Sequence, residues 1–247
     1  MRYKATGRFT IYATFEDDRH VEFSFEGATF IFPLVAKKDC RQEFEFCFEA
    51  NSGEENIKAQ KLKDIFANLV QFGLNVLIED INIGRIQQRG SNISLNQVTH
   101  KVDYAVAKHY PVSGSSINKD QEIDLLKKIS SQIRQEDMFL LKLYGQSFAA
   151  DSYSSFWYIY LILSITIGER KKIDEEIKRL FPQVPTVYSD HEQKEVTKFV
   201  AIRDSFSHKS TFNGLELNIE SELKIHFSTF REIAHKFIKD KITSNTR

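Results

Sequence analysis

The feature that most constrains this chain's fold is a change of hydrophobic period partway along it. Over residues 1 to about 50, apolar side chains recur at every second position: Phe9, Ile11, Ala13 and Phe15, then Val21, Phe23 and Phe25, then Phe30, Phe32 and Leu34. The clearest instance is Glu43-Phe44-Glu45-Phe46-Cys47-Phe48-Glu49. Successive side chains of an extended strand project to opposite faces, so this alternation predicts antiparallel strands with one face buried and the other acidic and wet. The connectors Glu16-Asp17-Asp18-Arg19 and Glu26-Gly27-Ala28 are short enough for hairpins.

Beyond residue 55 the period lengthens. Leu62, Ile65, Phe66, Leu69 and Val70 follow helical spacing over 57–72, and Gly73 stands where a C-cap is expected. Val76, Ile78, Ile81 and Ile83 return to strand character, as do Val98, Val102, Tyr104 and Val106. The first part of the chain therefore reads as a sheet with one packed helix. Pro111-Val112-Ser113-Gly114-Ser115-Ser116 is rich in turn formers and free of apolar periodicity, which marks a linker. After it the pattern is helical throughout. One helix starts at Asn118 as cap and runs to 135. A second covers 138–167, with breaks expected near Gly145 or Asp151. A third spans 169–180 and stops before Phe181-Pro182. Asp190 is expected to cap a helix running to Ser207, and a last helix spans 219–242. The expected class is α+β: a β-rich sensing or regulatory domain over 1–112 and an all-α bundle over 117–247.

Composition narrows the function classes. Apolar residues make up 41% and charged residues 28%, so a packed protein is expected rather than a disordered one. The 21 phenylalanines point to aromatic cores. Lys plus Arg and Asp plus Glu number 34 each, which argues against a protein that coats nucleic acid. It leaves room for a nuclease that gathers positive charge at its cleft, for instance across a dimer interface. Cys40 and Cys47 are too few for a disulfide framework, and Cys47 is expected to be a buried free thiol. The first residues lack the form of a signal peptide, and the apolar run 156–167 is too short to span a bilayer. A cytoplasmic protein with no membrane partner is the expectation.

The chemistry concentrates in Val196-Thr197-Lys198-Phe199-Val200-Ala201-Ile202-Arg203-Asp204-Ser205-Phe206-Ser207-His208. On a continuous helix Val196, Phe199, Val200 and Phe206 share a face, and Arg203 falls on the same apolar stripe. A guanidinium there requires an anion, a carboxylate or a partner subunit. His208 points elsewhere in an unbroken helix, but Ser205 and Ser207 weaken the last turn, and fraying would bring the imidazole back. An imidazole and a guanidinium at one spot suit RNA cleavage by internal transfer. The imidazole moves the 2′-hydroxyl or 5′-oxygen proton, and the guanidinium holds the phosphate. The bland alternative is a core histidine and a helix-capping arginine.

The segment Ile202-Arg203-Asp204-Ser205-Phe206-Ser207-His208 resembles the Arg-polar-x3-His motif of HEPN domains, late in a helical region with one helix after it. Phe156-Trp157-Tyr158-Ile159-Tyr160-Leu161-Ile162-Leu163 is similar to the aromatic-aliphatic core helix of these domains, so the resemblance covers 118–242. It implies a four-to-five-helix bundle, a homodimer with two Arg/His pairs in one cleft, and a metal-independent endoribonuclease with no cofactor that leaves a 2′,3′-cyclic phosphate. It further implies RNA as substrate, and a toxin or antiviral-defence effector with an antitoxin or regulatory partner. Within the motif, Arg203 would bind phosphate, Asp204 would orient its neighbours and His208 would be the acid/base. Where some members carry a modifiable Tyr two residues after the His, this chain has Ser210. Members that have lost activity serve as binding modules, so the alternative function is a catalytically silent HEPN-like interaction or nucleotide-binding protein.

Other candidates carry less. His100 and His109 lack the carboxylates of a metal site, and no metal or cofactor site is expected. His226 and His235, nine apart on the last helix, read as surface histidines. Glu175 and Glu176 lie among Lys171, Lys172, Lys178 and Arg179 on a solvated face. Tyr153, Trp157 and Tyr160 read as core packing.

Overall fold

The structure, a computed structural model, describes residues 1–12, 18–34, 40–89, 94–95, 119–208 and 210–244. It is a mixed α+β chain that divides into two compact units, 1–145 and 146–245.

In the first unit the period-two residues form β1 (Arg2–Tyr12), β2 (Arg19–Phe25), β3 (Ala28–Leu34) and β4 (Cys40–Glu49). With β5 (Leu77–Gln88) and β6 (Ser94–Leu95) they make a six-stranded antiparallel sheet of order β2-β3-β4-β1-β5-β6. Glu26 and Gly27 turn the β2–β3 hairpin with φ of 47° and 74°, the two left-handed positions of a type I′ turn. Phe44, Phe46 and Phe48 are buried as the alternation requires. The opposite face carries a cross-strand charge ladder: Arg2–Glu49 at 2.9 Å, Lys4–Glu45 at 2.6 Å and Arg8–Glu43 at 3.0 Å. Cys47 is half-buried rather than buried, because the same parity that buries its phenylalanine neighbours turns it to the face of Glu45 and Glu49.

Helix α1 (Glu55–Leu74) lies on the phenylalanine face. Its Phe66 is fully buried against the rings of Phe9, Phe23, Phe30, Phe32 and Phe44, whose centroids lie 4.4–6.2 Å away. The helix runs past Gly73 and is capped by Asn75 in the left-handed conformation (φ 51°, ψ 47°), whose N–H donates to the Gln71 and Phe72 carbonyls. Gly73 instead permits close helix approach: a Cβ there would sit 2.7 Å from Leu126 Cβ. Leu126 belongs to α2 (Lys119–Gln132), which packs on α1 and β2 through buried Ile123, Leu126 and Ile129. The sheet therefore carries two helices where the sequence suggested one, and the division between units falls within α3 (Met138–Ala149), not at 112–117. The linker 111–116, the strand expected over 98–106, and the capping role of Asn118 lie outside the described residues.

The second unit is not all-helical. It contains α4 (Ser152–Thr166), α5 (Arg170–Leu180), α6 (Lys198–Ser207) and α7 (Ile219–Ser244). Between them lies a small antiparallel sheet of order β10-β9-β7-β8, from β7 (Thr186–Ser189), β8 (Lys194–Thr197), β9 (Thr211–Phe212) and β10 (Leu215–Glu216). The break at Asp151 is real: its carboxylate caps α4, accepting from the Tyr153 and Ser154 N–H groups at 2.9 and 3.0 Å. Asp190 caps no helix. It sits after β7 and accepts from the Gly214 N–H at 2.9 Å, tying that turn to the β9–β10 turn. Phe156, Phe199 and Phe230 bring α4, α6 and α7 together, with centroids 4.9–6.0 Å apart. Among the described residues no helix is long and apolar enough to cross a membrane.

Candidate active site

Helix α6 begins at Thr197, whose hydroxyl accepts from the Val200 N–H at 3.4 Å, so Val196 lies in β8 and not on the helix. Ala201 and Ile202 are buried, while Arg203 is half-buried at the edge of the apolar face rather than in its middle. The last turn ends as the serines suggest. Ser205 and Ser207 donate their hydroxyls back to the Ala201 and Arg203 carbonyls, and His208 leaves the helix with extended backbone (φ −147°, ψ 156°).

The carboxylate of Asp204 is the hub. It is 7% exposed and receives Arg170 Nε at 2.8 Å on Oδ1 and 3.1 Å on Oδ2. Arg170 Nη2 also donates to Oδ2, and Arg203 Nη1 reaches Oδ1 at 3.1 Å. Arg170 in turn pairs with Glu192 in the turn between β7 and β8, and Lys194 reaches Glu192 at 2.7 Å. Burial pulls the Arg170 guanidinium toward neutrality, but its hydrogen bonds and Coulombic attraction to Asp204 and Glu192 outweigh this and hold it above its ordinary value. Burial also works against the Glu192 charge, and the bonds from Lys194 and Arg170 overcome it, leaving its carboxyl below the usual range. The Arg203 guanidinium lies over the Tyr160 ring, 5.6 Å from its centroid, and its Nε is buried without a hydrogen-bond partner.

His208 is exposed and lines an open cavity of about 340 Å³ with Ser205, Ser207, Ser210 and Glu216; Arg203 is not among the lining residues. Arg203 contacts Tyr160 and Asp204, and the cavity that His208 lines is also walled by the apolar Phe206, Leu217 and Ile219. Helix α6 ends at Ser207, which leaves the His208 imidazole exposed. Sequence reasoning singled out Arg203, Asp204 and His208 as candidates and gave no place to Arg170, which reaches Asp204 from 34 residues away.

The remaining candidates resolve as follows. His226 is half-buried, 3.3 Å from Glu222, which also pairs with Lys198 at 2.6 Å. Burial, reinforced by the Lys198 charge, lowers the His226 pKa against the opposing pull of Glu222. It is a packed histidine rather than a surface one. His235 is also half-buried, and His100 and His109 lie outside the described residues. Glu175 and Glu176 pair with Lys171 and Arg179 on an exposed face. Among the described residues no three His, Cys, Asp or Glu side chains are grouped as a metal site requires.

The aromatic residues of α4 do not all pack inward. Tyr153 and Trp157 are 42% and 40% exposed, and Leu161 and Ile165 continue the same i, i+4 stripe at 41% each. No protein-family model, curated protein or solved structure matches the chain.

Proposed function

We propose that the chain is a metal-independent endoribonuclease of the HEPN type, working as a homodimer in which Arg203 of one subunit and His208 of the other serve one phosphodiester. The observation that carries this reading is the end of α6: the helix stops at the position that exposes an imidazole beside an open cavity bearing three serines, one turn beyond a guanidinium that retains unpaired N–H capacity. His208 takes the proton of the ribose 2′-hydroxyl as that oxygen attacks phosphorus. The P–O5′ bond breaks, the 5′-oxygen receives a proton, and a 2′,3′-cyclic phosphate remains. Arg203 stabilises the charge that gathers on the non-bridging oxygens.

Assembly from two chains is what the HEPN resemblance implies, with the Arg203 and His208 pairs of both subunits in one cleft. The exposed stripe of α4 supports it, because a helix that is apolar on every side is ordinarily covered on every side. That stripe borders the site: Trp157 packs on Phe206 of α6, with centroids 5.4 Å apart. The cellular role in toxin–antitoxin or antiviral defence and the regulatory partner rest on the HEPN resemblance alone, and the cytoplasmic setting on the sequence reading of the first residues and the apolar run.

A second reading has its own observation. The Arg170–Asp204–Arg203 cluster joins α5 to α6 whether or not RNA binds, so the motif also suits a catalytically silent interaction domain. Subunit mixing separates the two. Arg203→Ala and His208→Ala chains, each inactive alone, regain RNA cleavage when mixed if each supplies what the other lacks. Single variants that cleave like the wild type would leave the silent reading.

A further inference from the structure

Asp204 adjoins Arg203 in sequence, and an aspartate beside an arginine ordinarily claims its charge. Here the carboxylate is already occupied. Arg170 covers both oxygens with its planar fork, and Arg203 keeps one bond, Nη1 to Oδ1 at 3.1 Å. Three cations, Arg170, Lys194 and Arg203, face two carboxylates, Asp204 and Glu192, so one positive charge is in excess. Lys194 is tied to Glu192 and Arg170 to both acids, which leaves the excess on Arg203. That guanidinium is stacked on Tyr160, half-buried, and has an Nε with no partner. A half-dry cation with donors to spare selects an anion, and its planar fork matches a phosphate.

We propose that Arg170 is a positioning residue: by covering both oxygens of Asp204 it leaves Arg203 only partly compensated, through one bond, and available to bind an RNA phosphodiester. This rests on the nuclease reading for the identity of the anion. Without Arg170, Asp204 turns its free oxygen to Arg203 and neutralises it. Losing one charge-assisted contact to phosphate corresponds to about tenfold to a hundredfold in affinity.

The test is equilibrium binding of a fluorescent single-stranded 2′-O-methyl RNA oligonucleotide, which lacks the attacking hydroxyl and is not cleaved. It is run on full-length wild type, Arg170→Met, Asp204→Asn and the double variant, with thermal melts alongside. Arg170→Met is expected to bind at least tenfold more weakly, and Arg170→Met/Asp204→Asn to recover most of that loss, because the competing charge is gone. Asp204→Asn alone is expected to bind a few-fold more tightly, and this arm decides the matter if Arg170→Met does not fold. A purely structural cluster also recovers in the double variant, because no charge is left stranded, but it is weakened rather than tightened by Asp204→Asn alone, which strands Arg170. Wild-type affinity in Arg170→Met, no recovery in the double variant, weaker binding by Asp204→Asn, or no binding by the wild type each overturns the proposal. Cleavage of unmodified RNA is measured in parallel. Its absence with the binding order intact removes the nuclease reading and leaves the role of Arg170 standing.

Discussion

Glu122 of α2 offers a sharp test of how the first unit is held together. Its Oε2 is shut off from water without a hydrogen-bond partner, on the helix that packs against α1 and β2, and this burial raises its pKa to about 7. A carboxyl that binds its proton more tightly when folded stabilises the fold at low pH. That contribution is complete below the unfolded value near 4.5 and disappears as pH rises through about 7. The full shift corresponds to about 3 kcal/mol. Because the side chain is only partly buried, solvent screening reduces this to about 1–2 kcal/mol. Glu122→Gln removes the titration while keeping shape. At pH 4 the variant and wild type are expected to melt together, and at pH 8 the variant should be more stable by about 1–2 kcal/mol, several degrees in Tm. Trp157, the only tryptophan, lies in the second unit, so the assay is far-UV circular dichroism with hydrogen exchange along α1 and α2. A variant no more stable than wild type at pH 8, or a difference that does not change with pH, would refute the reasoning.

Two further substitutions probe the same unit. Gly73→Ala places a methyl 2.7 Å from Leu126 Cβ and 2.8 Å from its Cα, so relief requires moving a helix; a loss of about 1–3 kcal/mol is expected in urea unfolding, and a neutral result would contradict the close α1–α2 approach. Gln42 is 2% exposed with both amide atoms unpartnered, so Gln42→Met should raise stability by about 1–2 kcal/mol, and a lower melting temperature would show that the amide is satisfied.

What was legible in the sequence follows from the range of the forces involved. Strands β1 to β4 were readable because parity alone decides which face of the sheet a side chain joins, and the Phe44-to-Phe48 alternation leaves one choice. The start of α4 after Asp151 was readable because a cap acts within three residues. The β7–β8 hairpin was missed: each strand has four residues, too few for alternation to outweigh the helical pattern that continues through Val196 and Phe199. Gly73 drew the capping role because glycine favours left-handed backbone, whereas its use here is to admit Leu126, a contact 53 residues away. At the site, Arg203, Asp204 and His208 announced themselves by proximity in sequence. Arg170 did not, because its partnership with Asp204 exists only after α5 and α6 have packed. The direction of each side chain was equally hidden, since the stacking of Arg203 on Tyr160 depends on α4.

The most direct measurement of the proposed function is cleavage of mixed single-stranded RNA by purified protein in EDTA, wild type beside His208→Ala, with the product ends identified chemically. The wild type is expected to cut and to leave 2′,3′-cyclic phosphates, and His208→Ala to be folded and inactive, since its side chain is exposed at a helix end. A folded His208→Ala protein that cleaves as fast as the wild type, or wild-type activity that vanishes in EDTA and returns with magnesium, would contradict it.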